Sequence, residues 1–439
     1  MTRENQVAGP WPSGEEAPPT QARFGITVAV VSVVAVLVVG QAFITIPLMP
    51  QLSSAWGVSQ ASASWATTVF AVAYACGSLA GGPLSDRYCR RTVLAGTVAA
   101  MAVATALVPL ATGLTWASAA RALQGVTAGS FVPMSYAYLS ERVPERRLPL
   151  ALTTVNAAGG ASAVLSQIEG QVLGSALGWR AVFLLSAPLL AFGALAIRRV
   201  LLPGTVKIPG QGGAGPGGGV RVLRSARLLP LLVISLPLLG SITAIYTVVQ
   251  LYGPADLVGD PGAMLGLRAS ALPAMVLAVL AAPVLGRVPA LRRAAASLGL
   301  AGAGLVGAAL AGGGTVALGA ALFVFVLAVS TAGPAVVQAI STTAGPARTT
   351  AIAAYGFLLN LGSGAGAQLP LAIGSVAGVA LTLAGLLTAC IGLLALARRA
   401  AVRHGRVSPA DPVHAASRAG HPRRRPDRPR VDAPCGRGR

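Results

Sequence analysis

Apolar and polar positions along this chain separate on the scale of whole helices. No charged residue occurs from 61 to 81, and none from 92 to 113. The polar break between them is Gly82-Pro83-Leu84-Ser85-Asp86-Arg87-Tyr88-Cys89-Arg90-Arg91. Each flanking run has the roughly 20 residues a helix needs to cross a bilayer. Comparable runs cover 24–50, 62–84, 93–114, 116–139, 148–177 and 181–202, then 228–252, 262–285, 294–310, 315–340, 350–373 and 376–396. The pattern predicts an all-α polytopic membrane protein with about 12 transmembrane helices. The run 24–50 is too long for the core of a secretory signal and is expected to persist as the first span.

Midway, Gln211-Gly212-Gly213-Ala214-Gly215-Pro216-Gly217-Gly218-Gly219 lies among Lys207, Arg221, Arg224 and Arg227. Glycine-rich stretches of this kind act as flexible linkers. The expected organisation is therefore an N-terminal six-helix bundle (24–203), a cytoplasmic basic linker (204–227) and a C-terminal six-helix bundle (228–398). A disordered lead (1–23) precedes them and a disordered, basic, proline-rich tail (399–439) follows, which could be drawn to anionic lipid. Internal echoes suggest two related halves. Pro283-Val284-Leu285-Gly286-Arg287 with Arg292-Arg293 repeats Pro83-Leu84-Ser85-Asp86-Arg87 with Arg90-Arg91, and Ser166-Gln167 is matched to Ala367-Gln368. Repeats of this kind mark transporters that rock one half against the other around a midplane site.

Composition agrees. Of 439 residues 54% are hydrophobic and 10% charged, against about 25% charged in soluble domains. The net charge of +21 does not point to nucleic acid, because the cations crowd into alternate loops. Arg87, Arg90, Arg91, Arg142, Arg146, Arg147, Arg287, Arg292, Arg293 and Arg348 fall on one side with the linker and tail, while the other side holds little beyond Arg180 and Arg268. By the positive-inside rule both termini are expected to be cytoplasmic; the expected location is the plasma membrane of a bacterium. Cys76, Cys89, Cys390 and Cys435 have neither disulfide nor zinc spacing. His404, His414 and His421 all lie in the tail, so no histidine serves as a proton carrier within the membrane. The spans hold no nucleophile–base pair, metal cluster or phosphate loop, which argues against an enzyme and against any metal or cofactor. They also lack the repeated filter of a channel.

A charge inside the hydrocarbon is a functional candidate by default. Glu169 is the only acid expected within the membrane. Arg121 lies in the fourth span, sharing a helix face with Gln124, Gly125, Ala128 and Gly129. Depth would allow Glu169 and Arg121 to pair across neighbouring spans. The polar side chains Gln41, Tyr136, Gln167, Tyr246, Gln250, Gln338, Asn360 and Gln368, with Gln124, are candidates to line a substrate cavity.

The break between the second and third spans resembles the loop signature of the major facilitator superfamily, glycine-x-x-x-aspartate-arginine-x-glycine-arginine-arginine. Gly82, Asp86, Arg87, Arg90 and Arg91 match it, and Cys89 stands at the usual glycine. The resemblance implies the major facilitator fold, two pseudo-symmetric six-helix bundles, with Asp86 latching the inner face against a basic residue such as Arg142. Arg121-Ala122-Leu123-Gln124-Gly125 resembles the arginine-x-x-glutamine-glycine motif of antiporters in that family, implying a part for Arg121 in proton coupling. The fifth span resembles the family's antiporter motif but has Ser166-Gln167 for glycine-proline, so it lacks the expected kink.

The expected function is secondary active transport of a small molecule by a monomer using alternating access, resembling drug and metabolite efflux coupled to protons. An exporter of sugars or amino acids, or a facilitator without proton coupling, is the alternative. With few charges in the cavity, a neutral, cationic-amphiphilic or moderately polar substrate fits better than a strongly charged one.

Overall fold

A computed structural model describes residues 23–144, 146–203, 225 and 227–405, leaving aside the side chains of 80–87, 149, 346, 349 and 396–405. The expected lead, linker and tail thus lie almost wholly outside the described residues. Among these residues there is no strand, and twelve helical rods follow one another. The first is broken into Phe24–Gly40 and Met49–Trp56, the second into Gln60–Ala63 and Trp65–Arg87. The third is Arg90–Leu110; the fourth comprises Leu114–Gly129 and Phe131–Arg142. The fifth and sixth are Leu148–Leu177 and Trp179–Val200. Leu229–Tyr252, Pro261–Leu285 and Ala290–Leu310 follow as seventh to ninth. Thr315–Ala344, Arg348–Ile373 and Val376–Gly405 complete the set. By length and composition alone, seven of the described rods could cross a membrane: the third, the sixth to the tenth and the twelfth.

Rod boundaries follow local chemistry. Gly178, at φ 81°, turns the chain from the fifth rod into the sixth, and Gly374, at φ 72°, turns it from the eleventh into the twelfth. Only glycine adopts this left-handed backbone without strain. The fifth rod runs unbroken for 30 residues, as expected without an interior proline. The first, expected as the span over 24–50, is interrupted. Residues 41–48 wind as irregular turns around Pro47, which has no N–H to continue the ladder.

Packing repeats in the two halves. The first rod packs on the fifth, the second on the fourth and the third on the sixth; likewise the seventh packs on the eleventh, the eighth on the tenth and the ninth on the twelfth. The halves meet where the second rod crosses the eleventh and the fifth crosses the eighth, contacts that a pseudo-two-fold axis exchanges. Buried apolar side chains form one core within 228–394, joined by Val164, and two within 28–201.

Small residues allow the closest approaches, as is usual between helices in lipid. A Cβ on Gly129 would come within 2.7 Å of the Ser78 nitrogen. Between the seventh and eleventh rods, Gly240 faces Gly362 and Gly366 backbone to backbone. Gly40 lies against Ser166 as Gly240 lies against Gly362. Ser166 and Gly362 each stand twelve residues before their turn glycine. This register corrects the expected echo: Gln167 corresponds to Ser363, and Gln368 falls in the place of residue 172, next to Gln171.

Candidate transport site

Four connections, carrying the basic turns, gather at one end of the bundle (the basic end); the turns at Gly57, Gly178 and Gly374 lie at the far end. Roughly 10 Å below the far-end start of the fourth rod, at 1.5 Å per residue, sits Arg121, fully buried at 0% exposure. Its Nε donates to the Ala66 carbonyl (3.3 Å), one terminal nitrogen to Gln124 Oε1 (2.9 Å) and the other to the Gln41 carbonyl (2.7 Å). The guanidinium stacks over Phe70 at 4.3 Å. The Gln41 carbonyl is free to accept because the first rod unwinds there. Gln124 Nε2 in turn donates to Thr105 Oγ1 (2.6 Å) and to Gln41 Oε1 (3.4 Å). One cation thus staples the first, second and fourth rods, and its fork geometry uses all three acceptors.

Glu169 is not part of this network. It is half-buried on the fifth rod and accepts from Ser186 Oγ of the sixth at 3.4 Å. The pairing with Arg121 that depth allowed is not made. Glu169 lies half a turn round the helix from Gly160 and Gln171, the residues that face the eighth rod.

Across the halves, the described polar contacts concentrate at the far end. Gln368 Nε2 donates to Thr68 Oγ1 (2.5 Å) and Ser64 Oγ (3.3 Å), and Thr68 Oγ1 donates to the Gly364 carbonyl (3.2 Å). At the symmetry-related crossing, Gln171 Nε2 donates to the Pro261 carbonyl (2.5 Å) while its Oε1 accepts from Arg268. Arg268 also donates to Gln250 Oε1 at 2.5 Å. The two amides bridge the halves at symmetry-related crossings, one position out of register with each other. Gln368 was expected in the cavity, and Gln171 was not singled out. Arg268, expected in a loop, is 1% exposed inside the eighth rod. Its place within the apolar run 262–285 was the signal that could have found it.

The remaining candidates scatter. Tyr136 donates to Asn156 Oδ1 (3.3 Å) and lies within electrostatic reach of Tyr74 and Tyr355, so three phenols from both halves converge toward the basic end. Asn360 donates to the Gly356 carbonyl of its own helix (2.9 Å). Gln338 is exposed and accepts from Arg293 of the ninth rod (2.6 Å). Gln167 donates to Ala163 (2.7 Å), but its Oε1 is buried without a partner, as is the Tyr246 hydroxyl. At the basic end Arg90 pairs with Glu141 (3.2 Å), Arg91 donates to the Leu201 carbonyl (3.4 Å) and Arg142 to that of Pro203 (2.8 Å). The side chains of Asp86 and Arg87, and any that Gly82 would face, lie outside the described residues.

Comparison with known proteins places this architecture. A family model described as Major Facilitator Superfamily matches residues 31–367. Transcription regulatory protein OpdE of Pseudomonas aeruginosa is 30% identical over 188 residues, 42% of this chain and 46% of that protein. Multidrug resistance protein MdtG of Enterobacter lignolyticus is 31% identical over 157 residues, 34% of this chain and 37% of the relative. Methylenomycin A resistance protein of Bacillus subtilis is 27% identical over 192 residues, 41% and 40% respectively. The matches span less than half the length of each of these relatives. Among solved structures, the human organic anion transporter MFSD10 (TETRAN) superposes with a TM-score of 0.66 at 18% identity, covering 85% of this chain and all of that one. It bears on the fold alone.

Proposed function

The chain belongs to the major facilitator superfamily of membrane transporters, and from that premise we propose that it exports a drug-like compound or metabolite from a bacterium by proton-coupled alternating access. The observation that carries the reading is the one-sided seal. Among the described contacts, hydrogen bonds join the halves through Gln368 and Gln171 at the far end, whereas at the basic end Arg91 donates to the Leu201 carbonyl of its own half. With the basic end cytoplasmic, the molecule is closed outside, and opening requires both latches to part. The resistance proteins among the relatives support efflux of a drug-like compound. The 204–227 linker would let the two bundles rock.

Asp86 is the proposed inner latch. In single-cysteine accessibility labelling, Gln368→Leu is expected to raise reactivity at the far end, and Asp86→Asn at the basic end. Unchanged labelling in both variants would leave neither residue a gate.

The membrane acid proposed to carry the proton is Glu169, with Arg121 holding the neighbouring rods in register. A second reading, passage without proton coupling, is favoured by Glu169 facing Ser186 rather than the other half. Proton-driven uptake of candidate compounds into inverted vesicles decides between them. Glu169→Gln is expected to abolish the stimulation by a proton gradient and to spare downhill exchange. Undiminished stimulation would remove Glu169 as the carrier.

A further inference from the structure

Two arginines are buried in the described spans without an acidic partner, and they differ in one respect. Arg121 has all three guanidinium nitrogens hydrogen-bonded. Arg268 has two amide oxygens on its terminal nitrogens, but its Nε is buried with no partner. Within electrostatic reach lies Tyr246, whose hydroxyl is likewise buried and unpartnered. Tyr246 sits one helical turn from Gln250, which accepts from Arg268, and Gln167 sits one turn from Gln171, which does the same. The nearest acids in sequence, Asp256 and Asp260, are exposed, and Asp260 is spent capping the Gly262 nitrogen at 2.7 Å.

Burying a cation without a counter-charge is costly, and so is leaving a buried donor unmet. Here both costs coincide on one side chain, within electrostatic reach of a hydroxyl one helical turn from Gln250, at the crossing where the halves part. A ligand oxygen carrying negative charge would satisfy Nε, the phenol and the missing charge together. A neutral ligand would leave the charge uncompensated, and a cationic one would be repelled.

We propose that Arg268 and Tyr246, framed by Gln171 and Gln250, form a subsite for the anionic group (carboxylate, sulfonate or phosphate) of the transported molecule. This rests on the transport reading above and narrows it to anionic substrates, against the preference for neutral or cationic ones drawn from the sequence. Anion binding at Arg268 would also draw the guanidinium from Gln171 and loosen that latch, so that loading and opening are one event.

The test uses the full chain, purified and reconstituted, with three probes of one shape: benzenesulfonate, neutral benzenesulfonamide and the cation phenyltrimethylammonium. Benzenesulfonate is expected to raise the unfolding temperature in a saturable way, and the other two to leave it unchanged. Tyr246→Phe keeps the ring and should leave the unliganded protein as stable as before, because its hydroxyl has no partner to lose. It should weaken benzenesulfonate roughly tenfold, the worth of a hydrogen bond to a charged group. Arg268→Gln should abolish the response. No response to benzenesulfonate, an equal response to the sulfonamide, or an undiminished response in Tyr246→Phe would each overturn the subsite. Flux of the same probe is measured in parallel. Binding without movement would refute transport and leave the subsite standing; movement indifferent to both substitutions would do the reverse.

Discussion

Arg121→Lys, conservative by charge, is expected to destabilise the protein by about 2–4 kcal/mol and to abolish most transport. A lysine ammonium is a single strongly hydrated point, whereas the acceptors around Arg121 are spread over three rods. At most one of the Gln41 carbonyl, the Ala66 carbonyl and Gln124 Oε1 would keep its bond. Each buried acceptor left unmet costs roughly 1–3 kcal/mol, while the desolvation of the cation remains. The stacking on Phe70 is weakened as well. Thermal unfolding in detergent, read beside transport, checks this. If the lysine variant keeps near-normal stability and transport, charge alone suffices, and the antiporter resemblance describes Arg121 better than the staple does.

The second large effect is expected at Gly362. An added Cβ there would stand 2.7 Å from the Leu236 Cα and closer still to its carbonyl. Neither can swing aside, because both belong to the backbone of the seventh rod. Overpacking of this kind costs about 1–3 kcal/mol and more where backbone must move, so Gly362→Ala should lower the unfolding temperature and Gly362→Val should prevent a monodisperse preparation. Gly96→Ala is the control. It too is helical, but nothing lies within 4 Å of the added carbon, and replacing a mid-helix glycine by alanine gains up to about 1 kcal/mol. Equal behaviour of the two alanine variants would show that the seventh and eleventh rods have slack that the contacts do not suggest.

Much of the fold was legible in the sequence because membrane spans declare themselves by length and charge. The fifth and sixth rods separate where Gly178 precedes Trp179, and the basic turns fall together at one end, as the arginine spacing required. The site was less legible. Helical spacing placed Gln124 beside Arg121, and the two are bonded. Spacing within one helix says nothing about which rods meet, however, so the Glu169–Arg121 pair, plausible by depth, proved to be two unrelated contacts. That Gln368 falls one position from the equivalent of Gln171 emerged only once the turn glycines supplied the register. Arg268 was read as a loop residue from the alternation of basic and non-basic loops; that Gln171, 97 residues earlier, reaches it is a property of the packed halves. Arg121 was read as a proton-coupling charge, and the unwinding at residues 41–48 that supplies its best acceptor depends on Pro47 in a different rod.

That unwinding has a consequence for how variation in this chain should be read. Two of the three groups holding Arg121 are peptide oxygens, which every amino acid carries. Position 66 can therefore drift among small residues without losing its bond, and the companion that a search for residue pairs changing together would return for Arg121 is Gln124, whose side chain accepts from it and donates to Gln41 Oε1. What must persist besides is the shape of the main chain near Pro47, so most of the arginine's dependency is recorded in a conformation, and only the bond to Gln124 in the letters beside it.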